Sequence, residues 1–150
     1  ISSGSKTFLI DAPLDPENKY LRHACIESPD MKNIYDGVVT VDMKGEATIL
    51  LPPYFEALNS DFRYQLTSIG ASATGLFISE EIKNNSFTIG GGAPGKKVSW
   101  QVTGIRKDAF ANAHPVIPEP LKEAENRGKY LYPVELGRIE KSGISKTSQQ

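Results

Sequence analysis

Metal or acid–base chemistry in this chain would have to start from His23 and His114, its two histidines, the first followed by Glu27 four positions on. Positions i and i+4 of a strand share a face but stand about 13 Å apart, too far to hold one ion between them. Structural roles are therefore expected for both imidazoles. Cys25 is the sole cysteine, which excludes an internal disulfide framework and a cysteine-rich zinc site. Within the apolar-rich run from Tyr20 to Ile26 it reads as a buried thiol. Nucleophilic catalysis would need a serine beside a base, and the compact serine–lysine group is Ser3, Ser5 and Lys6. Such a dyad requires a desolvated lysine of depressed pKa, which a flexible, exposed segment does not supply. The run from Gly90 to Gly95 lacks the Gly-Lys-Ser/Thr ending of a phosphate loop, and a strand pattern follows it where a phosphate site needs a helix N-terminus. It reads as a flexible loop. No catalytic, metal or cofactor-binding residue emerges, and an enzyme is not expected.

Residues suited to contact are more numerous. Tyr54, Phe55, Phe62 and Tyr64 lie close enough in sequence to build a stacking platform for a sugar, although alternating aromatics in a strand more often face a core. Of these, Tyr54 and Tyr64 are the candidate ligand-rim residues, with a surface glycan as the ligand. Farther on, Phe110, Tyr130, Tyr132 and Leu136 are large anchors in a segment with little core of its own, the pattern of an element that docks on another surface. They are the candidate subunit contacts; copies of the same chain, as a trimer or a filament, are the expected partner, joined through exposed strand edges and the arm over 107–137.

The elements that must position these residues belong to one domain, since 150 residues suffice for one core and fall short of two ordinary ones. The 17 basic residues nearly cancel the 18 acidic ones, which leaves no electrostatic footprint for nucleic acid or an anionic membrane. No stretch approaches the roughly 20 apolar residues of a membrane-spanning helix, and no charged-then-apolar signal segment is present. The chain begins at Ile1 and not at methionine, as a processed product or a fragment would.

Residues 1–6 are small and polar, a flexible leader. From Thr7 to Ile10 a short β-prone run reads as an edge strand, closed by a loop that Pro13 and Pro16 stiffen; a second strand runs from Tyr20 to Ile26. Gly37 to Asp42 and Glu46 to Leu51, around a turn at Gly45, predict a hairpin. Pro52 and Pro53 then favour one or two helical turns near 52–59. Alternation predicts a half-buried strand from Phe62 to Ile69, with Phe62, Tyr64, Leu66 and Ser68 on one face. A second hairpin is expected from Gly75–Ser79 and Ser86–Ile89, with Asn84 and Asn85 suited to positive φ. In the alternating strand from Lys97 to Ile105, Trp100 is the expected centre of the core. Beyond Arg106 the pattern turns proline-rich, with a short helix over 121–127 stopped by Gly128. The fold expected is mainly β, an antiparallel β-sandwich (immunoglobulin-like) or small barrel over 7–106 with one short helix. An extended docking arm follows over 107–137, then a polar tail over 138–150.

The order of several segments resembles a domain found at the C-terminal ends of bacterial exported repeat proteins and of fibre-like proteins of phages and large algal viruses. The matching stretches run from Phe8 to Pro16, Tyr20 to Pro29, Leu51 to Leu58, Asp61 to Thr67 and Val98 to Arg106, and 51–67 is the most specific. In that family the loop before Pro13 reads Asp-His-Pro, whereas here it is Asp11-Ala12-Pro13, so a histidine pair at positions 12 and 23 is ruled out. The resemblance implies a structural or assembly module of an extracellular fibre, filament or surface appendage, placed outside the cell, on its surface or on a virion. A glycan- or host-surface-binding module and the remnant of a self-cleaving assembly chaperone are the alternatives.

Overall fold

The computed structural model describes residues 7–24, 26, 28–139 and 143, with the backbone alone at residues 7 and 8. Cys25, Glu27, the leader with Ser3, Ser5 and Lys6, and most of the polar tail lie outside the described residues. The chain divides into two compact units, 1–116 and 117–150.

Among the described residues of the first unit, eight strands form three antiparallel sheets. Strands β1 (Thr7–Asp11) and β2 (Tyr20–Ala24) pair with each other from Thr7↔Ala24 to Asp11↔Tyr20. Their loop is held by the Asp15 carbonyl, which accepts the Lys19 N–H at 3.1 Å, and by the Ala12 N–H, which donates to Lys19 O at 2.9 Å. Strands β3 (Lys32–Thr40), β5 (Asn59–Ile69) and β8 (Lys97–Arg106) form the second sheet in the order β3-β8-β5. The third contains β4 (Ala47–Leu50), β6 (Phe77–Lys83) and β7 (Ser86–Gly90) in the order β4-β7-β6. The fold is thus mainly β and sandwich-like, and no barrel closes among the described residues.

The strands either side of Gly45 do not make the hairpin their sequence suggests. β3 pairs with β8 and β4 with β7, so the chain turns a corner from one sheet to the other. The turn itself forms: Asp42 Oδ1 accepts the Lys44 and Glu46 amides at 2.8 and 2.9 Å, which holds its carboxyl below the usual range. Two flanking β runs and a glycine turn specify a reversal; they do not specify that the flanks bond to each other. The second hairpin does form, β6 with β7, through Asn84 and Asn85 at φ 54 and 55, both in the left-handed region that this tight turn demands.

The loop from Gly90 to Gly95, expected to be flexible, is packed and bonded. Gly92 N–H donates to Gly45 O at 2.9 Å, and Lys96 N–H to Ala93 O at 3.0 Å. A Cβ at Gly91 would fall on the Gly75 carbonyl and one at Gly45 on that of Gly92, both at positive φ. Three chain reversals cross here so closely that only glycine fits.

The core lies between the two three-stranded sheets. Val41, Ile49, Leu51, Phe55, Phe87, Ile89, Val98 and Val102 are its buried cluster, with Tyr35, Phe62, Tyr64, Leu66 and Trp100 packed against it half-buried. Trp100 is therefore at the margin and not the centre. It crosses the bare backbone of its cross-strand partner Gly37 and meets Phe87 edge-on, with ring centroids 5.6 Å apart. The centre is Phe55, fully buried from α1 (Phe55–Leu58), a single helical turn that follows Pro52 and Pro53 as expected. Tyr35 and Phe62 rings stand 4.7 and 5.2 Å from it.

A second short helix, α2 (Ala109–Ala113), stands where only irregular chain was expected. Asp108 caps it by accepting the Ala111 N–H at 3.2 Å. In the second unit, the helix expected over 121–127 shrinks to a single 3-10 turn at Ala124–Asn126. Gly128 does follow at φ 79 as a stop. Seven residues carry too few backbone bonds to repay helix nucleation without a buried face.

Candidate functional site

Three of the four candidate subunit contacts converge. Tyr130, Tyr132 and Leu136 line one apolar groove of about 440 Å³ in the second unit, together with Lys122, Leu131 and Glu135. Backbone turns build it: Leu136 and Arg138 N–H groups both donate to Pro133 O, at 3.2 and 2.8 Å, and Gly137 closes the bend at φ 66. Lys122 Nζ lies 5.4 Å and the Arg138 guanidinium 5.7 Å from the centroid of the Tyr130 ring, so two cations brace one aromatic. Lys122 also donates to Lys129 O at 2.6 Å. The surface these anchors leave is apolar and open: Tyr132 is 67% exposed, Leu136 61% and Leu131 59%. Isolated exposed apolar side chains are ordinary; several gathered around a groove mark a contact surface.

Phe110, the fourth, sits on α2 in the first unit. It is exposed and stacks on His114, with centroids 4.3 Å apart, while the His114 ring Nδ1 lies 3.1 Å from Phe110 O.

The candidate ligand-rim tyrosines are both half-buried. Tyr64 spans the sandwich: its ring meets Phe87 at 5.5 Å and its hydroxyl oxygen accepts the Ile82 N–H of β6 at 2.9 Å. Burial raises its phenol pKa. Tyr54, just before α1, lies beside His23 with ring centroids 6.0 Å apart.

His23 belongs to a polar cluster that sequence reading missed. Asn33 Nδ2 donates to Asn59 Oδ1 at 2.8 Å, and Asn59 Nδ2 donates to Phe55 O at 3.0 Å and to the Tyr35 hydroxyl at 3.4 Å. Both asparagines are buried; Gly104 is the cross-strand partner of Asn33, and a Cβ there would press on Asn59. Burial pushes the Tyr35 phenol up to about 12. Burial also lowers the His23 pKa, against the Asn33 hydrogen bond, which raises it, and with the Arg106 charge. Both shifts favour the neutral form, as befits members of a hydrogen-bonded plug. Beside them the buried Arg106 holds Asp108 in a two-pronged pair at 2.8 and 2.9 Å. Burial pushes the Asp108 carboxyl up, and Arg106 with the Ala111 amide outweighs it, so its pKa is lowered. The one sequence signal for this cluster was the amide of Asn59 directly after an apolar helical turn.

No three histidine, cysteine or carboxylate side chains gather as a metal site among the described residues. No described helix is long and apolar enough to cross a membrane. Comparison with protein-family models, with curated proteins and with solved structures finds no match.

Proposed function

We propose that this chain is a structural and assembly module that associates with copies of itself, as a subunit of an extracellular filament, fibre or surface appendage. The observation that carries the reading is the groove of Tyr130, Tyr132 and Leu136, an open apolar surface formed by turns and braced by Lys122 and Arg138. Turns alone bury little; a surface of this kind gains most when a second surface removes it from water. The resemblance of 8–106 to domains at the ends of fibre-like and exported repeat proteins points the same way.

Sedimentation of the intact chain over a wide concentration range tests it. Self-association that Tyr132→Asp and Leu136→Asp weaken, with the β signature of the fold unchanged, is expected. A chain that stays monomeric at high concentration overturns the reading.

A further inference from the structure

The sandwich has four sheet edges, and they are not equally able to accept another strand. β4 has four residues. β6 carries Glu80, Glu81 and Lys83, is interrupted by two register shifts against β7, and has its Ile82 N–H already bonded to Tyr64. Short, charged and irregular edges resist pairing. The other sheet is different. β3 has nine residues and β5 has eleven, neither contains proline, and among the described residues each is paired with β8 alone. At the start of β3, Asn33 and Tyr35 are met by His23 of β2. Asp61 at φ 50 breaks the register at the start of β5, which runs evenly from Arg63 to Ile69.

We propose that 36–40 of β3 in one copy pairs with 63–69 of β5 in the next, extending the β3-β8-β5 sheet from molecule to molecule. This rests on the self-association reading and adds a second contact surface to the groove of Tyr130, Tyr132 and Leu136. Both strands run antiparallel to β8 and so parallel to each other. A copy set beside the first in the plane of the sheet brings β3 alongside β5 in parallel. The two edges are different surfaces, so the contact is head-to-tail, which yields a filament, or a ring where the rotation closes, and not a two-fold dimer. Charge selects the register. Asp36 is exposed on the outer face of β3 and Arg63 on the outer face of β5. Placing them side by side sets Val38 against Gln65 and Thr40 against Thr67, with no like charges opposed.

Charge reversal tests this on the full chain by sedimentation. Asp36→Arg and Arg63→Asp are solvent-facing changes; each alone is expected to weaken assembly about tenfold, and the double variant to restore it. If the wild-type chain assembles but the single variants match it, or the double variant fails to recover, the edge assignment is wrong while self-association stands. A wild-type chain that remains monomeric overturns both.

Discussion

Glu56 and Asn85, 29 positions apart, bond to each other in both directions: Asn85 Oδ1 accepts the Glu56 N–H at 2.8 Å, and the Asn85 N–H donates to the Glu56 carboxylate. Asn85 Nδ2 adds a bond to Pro53 O at 3.0 Å, and Asn85 O accepts the Leu51 N–H at 2.8 Å. The tip of the β6–β7 hairpin is thus the cap of α1, the turn that carries Phe55 into the core.

Asn85 therefore does two jobs, which two substitutions separate. Asn85→Gly keeps the positive φ and loses the side-chain bonds, a loss of about 1–2 kcal/mol. Asn85→Ala loses the bonds and adds left-handed strain, about 3 kcal/mol in all. Urea titration of both variants reads the difference; equal losses would show that the backbone conformation costs nothing here.

Gly91 and Gly95 both have positive φ, yet only the first is enclosed. Gly95→Ala meets open space and should cost about 1–2 kcal/mol from backbone strain alone. Gly91→Ala must also displace the Gly75 carbonyl, and should cost several kcal/mol or abolish folding. Thermal melts of the pair check the ranking.

His23 makes stability depend on pH. Its pKa in the fold is lowered, burial being the largest cause, so the native state favours the neutral ring. Its contribution is complete above the unfolded value of about 6.5 and is lost as pH falls through that value and then through the lower folded one. The difference in melting temperature between the wild-type chain and His23→Gln should accordingly shrink or reverse between pH 7.5 and pH 5. A difference that is constant with pH would contradict this.

Tyr64→Phe removes one hydroxyl and leaves the Ile82 N–H without its acceptor. A loss of about 1–2 kcal/mol is expected, with faster amide exchange at Ile82 than at its neighbours in β6. Unchanged exchange at Ile82 would mean that this bond does not join the sheets in solution.

What the residues announced and what they concealed divide along the range of the forces involved. The alternation of Phe62, Tyr64 and Leu66, the prolines ahead of Phe55 and the Asn84–Asn85 turn are local patterns, and each yields the element it suggests. The partner of a strand is not local. β3 finds β8 some sixty positions away, and nothing within Gly37 to Leu51 distinguishes a hairpin from a corner. Trp100 misled because size alone suggested the centre, whereas the bare backbone of Gly37 let the ring lie at the margin. α2 was legible in principle: Asp108 ahead of three alanines is a cap before a helix former. At the candidate groove, Tyr130, Tyr132 and Leu136 were legible because large apolar residues in a proline-rich, turn-forming stretch have few internal partners. Lys122 and Arg138 were not, because their place over Tyr130 depends on how the turns close.

The order of strands also sets an order of events. β7 is the middle strand of its sheet, and all of that sheet has been synthesised once the chain reaches Gly90. β8 is the middle strand of the other, and it comes last. Until a ribosome has released Arg106, β3 and β5 lack the strand with which each pairs among the described residues, and loop closure over that distance is slow. A nascent chain therefore carries the two edges longest exposed before it is able to satisfy them itself, which is when chaperones would be needed most.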